Sequence, residues 1–285
     1  MPQPGPATIA DLLAAARRRL GAVAFGADRR EAVLLLGKVL GLSEAQVMAR
    51  GEQAVMPAAA ARFGELLARR LDAEPVAYLL GEREFYGRPF HVDRRVLIPR
   101  PETEHVVEAA LALTLPPAPL LLDVGTGSGC LAITLALEIP GARAVATDLS
   151  PGALAVAAAN ARRHGVAGRV HPVAADLVAG LDLSRFDLVV SNPPYVDPSE
   201  AAQLSPEVRD FEPHLALFSP GAGDSTLARL FQECAGLAAG APLVVEIGYG
   251  QLDAARRHAV ASSLQLAGTR KDYSGIPRVL TLRRR

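Results

Sequence analysis

The sequence predicts an α/β protein in which a mostly parallel sheet is covered by helices on both faces, with a small all-helical domain in front and a β-hairpin connector between the two. Three observations carry this. From Pro101 onward, apolar strand-like runs alternate with helical runs, the pattern of a sheet built by crossovers. A glycine-rich turn, Gly125-Thr126-Gly127-Ser128-Gly129, separates the apolar run Leu120–Val124 from the helical run Cys130–Glu138. Residues 1–74 show helical periodicity alone. A chain of 285 residues, half of them hydrophobic, can bury one large core and a smaller one.

In the first domain, helical patterns cover residues 8–25, 28–40, 43–50 and 57–72. Thr8 with Asp11, and Asp28 with Glu31, have capping-box spacing. The domain ends near Glu74-Pro75, and substrate docking and structural support are both open as its role. The connector, residues 75–100, alternates as a hairpin does, with Gly87-Arg88-Pro89 and Asp93-Arg94-Arg95 as candidate turns. In residues 101–285, strands are predicted at 120–124, 143–147, 169–174, 186–191, 243–247, 264–269 and 279–283. The last two have no helix between them.

Composition narrows the function classes. Thirty Lys+Arg balance thirty Asp+Glu, and no long basic run is visible, whereas a nucleic-acid enzyme presents a basic face to phosphates. Arg17-Arg18-Arg19 and Arg283-Arg284-Arg285 read as a solvated helix face and a polar tail. Cys130 and Cys234 make no metal or disulfide framework, and the six histidines are scattered, so no metal site is expected. The N-terminus is proline-rich rather than basic then apolar, and no apolar run approaches the ~18 residues of a membrane span. A reducing cytoplasm, without membrane attachment, is the expected setting.

The sharpest motif is Asn192-Pro193-Pro194-Tyr195, which follows the apolar run 186–191. An Asn side chain offers a carbonyl acceptor, and a residue before proline is pushed into extended backbone that leads out of a sheet. Two prolines remove two backbone donors, which leaves nearby carbonyls free to accept, and Tyr195 can lie on a flat π system. Such a site suits a planar NH2 group; a proline-rich turn is the plain alternative. Upstream, the glycine turn lets backbone pass close under a ligand at a helix N-terminus. Its spacing is Gly-x-Gly-x-Gly, with Cys130 at the sixth position, which disfavours a nicotinamide or flavin dinucleotide. Asp148 ends the second strand, where a carboxylate can hold a ribose diol, or it can cap the helix after Ser150-Pro151. Asp176 lies beyond the third strand, beside the same crevice.

Asp123-x-Gly-x-Gly-x-Gly, Asp148, Asp176 and Asn192-Pro-Pro-Tyr together resemble the class I S-adenosylmethionine-dependent methyltransferases, in the branch that methylates amino or amide nitrogen. The resemblance implies a Rossmann-like, mostly parallel seven-stranded sheet with an antiparallel ending. It also implies that residues Gly125, Thr126, Gly127, Ser128 and Gly129 pass under the methionine and ribose of S-adenosylmethionine. Asp148 would hold the ribose hydroxyls, Asp176 and Leu177 would flank the adenine, and Asn192 would stand between cofactor and target. The family often carries an aromatic residue where this chain has Leu177.

A longer stretch, Glu82-Arg83-Glu84-Phe85-Tyr86-Gly87-Arg88-Pro89-Phe90 through Arg100-Pro101-Glu102-Thr103-Glu104, is similar to the connector of the HemK family, the peptide chain release factor N5-glutamine methyltransferases. Val208-Arg209-Asp210-Phe211-Glu212-Pro213 and Lys271-Asp272-Tyr273-Ser274-Gly275 match the same branch, so the resemblance covers nearly the whole chain. It implies methyl transfer to the glutamine amide of the Gly-Gly-Gln motif in class-1 release factors, with no direct nucleic-acid partner. Asn192, Pro193 and Tyr195 would be catalytic. Pro194, Phe85, Tyr86, Phe90 and the loop from Arg100 to Glu104, Arg100 and Glu102 above all, would line the glutamine pocket; hairpin packing is the alternative for the aromatics. Competing readings are a glutamine methyltransferase of a ribosomal large-subunit protein, a DNA or RNA amino-methyltransferase, and a non-enzymatic nucleoside-binding module, which would have no use for Asn192.

Overall fold

A computed structural model describes residues 7–23 and 30–284. The chain divides into two units, residues 1–81 with 204–211, and residues 82–203 with 212–285.

The first unit holds α1 (Ile9–Leu20), α2 (Arg30–Leu40), α3 (Glu44–Ala49), α4 (Pro57–Leu71) and α5 (Val76–Leu80). Thr8 forms the expected capping box with Asp11, and Ser43 forms another with Gln46. The Asp28 cap, and the end of the helix predicted to reach residue 25, lie outside the described residues. Arg17, Arg18 and Arg19 occupy the last turn of α1, where cations meet the negative end of the helix dipole. Leu13, Leu20, Leu36, Phe63 and Leu67 form the core. The unit runs past the expected boundary at residue 74 because α5, too short to show periodicity, belongs to it. It also takes in Leu204–Phe211, where Glu207 pairs with buried Arg70, which pairs in turn with Glu31 at 2.6 Å. A charge buried as deeply as Arg70 requires such partners.

The second unit opens with the hairpin β1 (Glu82–Phe85) and β2 (Arg88–His91). Its turn is Tyr86-Gly87, with φ of 51° and 70°, so Arg88 and Pro89 lie in the strand and not in the turn as expected. A two-residue hairpin loop needs left-handed backbone at both positions. There follow α6 (Glu104–Leu111), β3 (Leu120–Val124), α7 (Cys130–Glu138), β4 (Arg143–Asp148), α8 (Pro151–Arg163), β5 (Val170–Ala174) and β6 (Leu188–Ser191). After α9 (Pro206–Phe211), which belongs to the first unit, come α10 (His214–Leu217), α11 (Ser225–Cys234), β7 (Pro242–Glu246), α12 (Leu252–Ala261), β8 (Leu264–Lys271) and β9 (Pro277–Arg284).

The seven strands are ordered β5-β4-β3-β6-β7-β9-β8, parallel from β5 to β7, with β9 antiparallel to both neighbours. This is the sheet of a class I methyltransferase, including the antiparallel ending. Arg283 and Arg284 are part of β9 and not a tail; Arg285 lies outside the described residues. Adjacent residues of β3 face opposite cores: Leu121 packs with Val106 and Ile133, and Leu122 with Leu230 and Phe231. Two buried faces explain why the central strands read as continuous apolar runs. The strand order reverses between β3 and β6, and in open α/β sheets the crevice at the carboxyl ends beside such a reversal receives ligands.

Candidate active site

The loops leaving the carboxyl ends of β3 to β7 bring most of the predicted residues to this crevice. After β3, Asp123 is buried and its Oδ2 accepts from Thr126 Oγ1 at 2.6 Å and the Ala132 N–H at 3.1 Å, which ties the start of the glycine turn to α7. Burial pushes the Asp123 carboxyl up to about 6, against the pull of those two hydrogen bonds. Gly125, Gly127 and Gly129 all have left-handed φ, of 72°, 54° and 82°. Their surroundings differ. A Cβ at Gly125 or Gly127 would meet nothing within 4 Å, whereas one at Gly129 would come within 2.9 Å of Ile133 Cδ1 and 3.2 Å of Ala157 Cβ. Gly129 therefore serves helix packing, and Gly125 and Gly127 leave open space against bare backbone. Ser128 is buried, and its carbonyl accepts from Asn160 Nδ2 at 2.8 Å.

Asp148, at the tip of β4, accepts the Gly127 N–H at Oδ2 and the Ser150 N–H at Oδ1, both at 2.9 Å. Ser150, not Asp148, caps α8, through the Ala153 N–H at 3.2 Å. Beyond β5, Asp176 is exposed and pairs with Arg229 at 3.0 Å. Leu177 has φ of 52° and its carbonyl accepts from Thr147 Oγ1 at 2.9 Å. Left-handed backbone costs a leucine about 1 kcal/mol, and this hydrogen bond to β4 helps to hold it there.

Asn192 leaves β6 with its side-chain amide already engaged. Its Nδ2 donates to Thr103 Oγ1 at 3.0 Å, and Thr103 Oγ1 donates to Glu246 Oε2 at 2.7 Å. Thr103 and Glu246 are both buried. Burial pushes the Glu246 carboxyl up to about 7, while the Thr103 hydroxyl, Arg278 and the Tyr195 hydroxyl draw it down and Glu102 raises it. Pro193 is buried and Pro194 half-buried. Tyr195 has its phenol pushed upward, chiefly by burial and then by Glu246. Its carbonyl accepts from Gln251 Nε2 at 3.1 Å, which pins the end of the motif.

The pocket wall expected around the hairpin is corrected in part. Phe85 and Phe90 are 1% and 0% exposed and meet edge to face at 6.1 Å, inside the same core as Val106 and Ile133. Packing consumes both rings, because the apolar face of a lone hairpin must be covered. Tyr86 keeps a half-buried side chain, and its backbone N–H donates to Glu104 Oε1 at 2.7 Å. Arg100 pairs with buried Glu212, whose other oxygen accepts the Ile98 N–H at 3.1 Å. Glu102 is half-buried, one residue before Thr103.

Glu246 and Gln251 were missed as site residues, and Thr103 was expected only as part of the 100–104 loop, not as the link from Asn192 to Glu246. Glu246 carried a signal, a carboxylate closing an otherwise apolar strand at the carboxyl end of the sheet. Gln251 carried none. Two surface depressions, one lined by Arg17, Arg30, Val33, Glu44 and Met48 and one around Ala109, Gly268 and Thr281, are open and do not involve these groups. Among the described residues no cluster of His, Cys, Asp and Glu is arranged to hold a metal, and no helix is long and apolar enough to cross a membrane.

Comparison with known proteins assigns the chain. Residues 11–81 match the PrmC N-terminal domain and residues 108–207 the methyltransferase small domain. A release factor glutamine methyltransferase of Cereibacter sphaeroides is 44% identical over 280 residues, which span 96% of this chain and 98% of that one. The chain belongs to the release factor glutamine methyltransferase family. A second member, from Nitratidesulfovibrio vulgaris, is 41% identical and covers 98% of this methyltransferase and 96% of its own length. Among solved structures, the hMettl16 catalytic domain in complex with the MAT2A 3'UTR hairpin 6 superposes with a TM-score of 0.56 at 17% identity, over 76% of this chain and 81% of that one. At that identity the likeness concerns the fold, which is shared by enzymes of different substrates.

Proposed function

We propose that this chain transfers the methyl group of S-adenosylmethionine to the side-chain amide nitrogen of the glutamine in the Gly-Gly-Gln motif of class-1 release factors. Family membership supports the reaction and the cofactor. The observation that carries the residue-level reading is the Asn192 amide, whose N–H is committed to Thr103 so that its Oδ1 is the end available to a ligand.

The residues present fit the cofactor. Open space over Gly125 and Gly127 suits the methionine end, Asp148 at the strand tip suits the ribose, and Asp176 and Leu177 follow the next strand toward the adenine. When bound, S-adenosylmethionine supplies an electrophilic methyl group on a positively charged sulfur. The chain's own task is set by the acceptor: an amide nitrogen is a weak nucleophile because its lone pair is delocalised. Asn192 Oδ1 and the Pro193 carbonyl would accept the two amide hydrogens, draw density onto nitrogen and fix its line of approach. Tyr195 would pack on the amide plane, and Pro194, Arg100 and Glu102 would border it. Phe85 and Phe90 would act through the hairpin they anchor. No general base need act before transfer, since the methylated amide sheds its proton readily.

The helical unit would offer a surface on which a folded release factor docks, in the cytoplasm where translation ends. Two free, buried cysteines suit that reducing setting. Mass mapping of a release factor incubated with enzyme and S-adenosylmethionine tests the proposal: one added methyl on the Gly-Gly-Gln glutamine is expected. Modification at another residue, or none, would overturn it.

A further inference from the structure

The chain Asn192–Thr103–Glu246 has a direction, and the direction depends on one proton. A threonine hydroxyl carries a single hydrogen, and here it is given to Glu246 Oε2 at 2.7 Å, which leaves Thr103 Oγ1 an acceptor toward Asn192 Nδ2 at 3.0 Å. An ionised carboxylate can only accept, so the order of donors is forced as long as Glu246 is charged. Glu246 protonated on Oε2, the oxygen that faces Thr103, becomes a donor to it. The hydroxyl hydrogen must then turn to Asn192, where the amide oxygen is the acceptor, and the amide rotates by a half turn. Its NH2 group would then face the crevice, donor against the donors of a glutamine amide.

We propose that Thr103 and Glu246 are positioning residues that set which end of the Asn192 amide faces the substrate, and that loss of the Glu246 charge reverses it. The proposal rests on the glutamine-amide reading above. Both residues are buried, so bulk water does not scramble the chain. The groups facing Glu246 are Arg278 on β9, itself held by Asp272 at 3.0 Å, Glu102 before α6, Tyr195 after β6, and Cys130 at the start of α7, whose thiol burial pushes up to about 12. His105 on α6 is turned to Glu108 at 2.8 Å and to Tyr273. Burial holds Glu246 near 7, which puts the reversal in the neutral range.

Two readouts on the full-length enzyme test this, one of them independent of turnover. The side-chain amide resonances of Asn192, assigned by their loss in Asn192→Ala, should titrate through the neutral range in the wild type and stay constant in Glu246→Gln. With release factor as substrate, kcat should fall as pH drops through the same range, and Glu246→Gln should flatten that limb. Thr103→Val should lower kcat by about tenfold to a hundredfold with S-adenosylmethionine affinity kept within about twofold, and Thr103→Ser should recover most of it. Unchanged kcat in Thr103→Val, or a Thr103→Ser as impaired as the valine variant, would overturn the proposal, as would Asn192 resonances indifferent to pH. If the wild type failed to methylate release factor, the glutamine reading would fall, and the Asn192 titration would still decide the orientation.

Discussion

Asp148 Oδ2 accepts the backbone N–H of Gly127 at 2.9 Å, so the tip of β4 and the glycine turn after β3 are held as one piece. A carboxylate that shapes the cradle and, as proposed, accepts from the ribose diol is costly to remove. Asp148→Ala should weaken S-adenosylmethionine by about 1.5 to 3 kcal/mol, with a smaller effect on the rate at saturating cofactor. Calorimetric titration checks it, and an unchanged dissociation constant would leave Asp148 a turn-holding residue alone.

The glycines of the turn should separate stability from binding. Gly129→Ala should cost about 3 kcal/mol in denaturant unfolding, since the new methyl meets Ile133 and Ala157 in left-handed backbone. Gly127→Ala has open space around it and should cost only about 1 kcal/mol. Its methyl would occupy the cradle, and cofactor affinity should fall by about tenfold or more, roughly 1.4 kcal/mol. The opposite ranking in the two assays would contradict the division of roles.

Much of this was legible in the sequence because the central strands are buried on both faces and read as unbroken apolar runs, each with its chemistry at the carboxyl end. The relay was not legible. Asn192 and Thr103 stand 89 residues apart, and Thr103 and Glu246 stand 143 apart, and no local pattern encodes their meeting. The hairpin aromatics misled for a related reason: alternation marks a strand with two faces but does not say which face is covered, and Phe85 and Phe90 proved to be core. Leu204–Phe211 joined the helical unit through an ion pair across 137 residues.

Glu246 also makes a stability prediction with a fixed sign. Its folded value lies near 7 against 4.5 in the open chain, so the folded protein holds this proton more tightly than the unfolded one. The associated stability is complete below the unfolded value and is lost as pH rises through about 7. Relative to Glu246→Gln, the wild type should therefore lose about 3 kcal/mol between mildly acid and mildly alkaline solution. Urea unfolding of both proteins across that range would show it. Parallel curves would mean that the carboxyl titrates in its ordinary range.

Asn192→Ala should leave S-adenosylmethionine binding nearly intact and reduce turnover by about two to four orders of magnitude, because the acceptor lost is the one proposed to act on the reacting nitrogen. A variant that failed to bind cofactor yet kept its rate at saturation would reverse that assignment.

The central claim is substrate identity, and competition for label tests it most directly. Enzyme and labelled S-adenosylmethionine are offered a class-1 release factor, the same Gly-Gly-Gln loop as a short peptide, the ribosomal large-subunit protein, duplex DNA and ribosomal RNA side by side. Label should appear on the folded release factor and far less on the peptide, since ordering a free loop costs about 1 to 2 kcal/mol per residue fixed. Label on nucleic acid, or on the ribosomal protein in preference to the factor, would contradict the account.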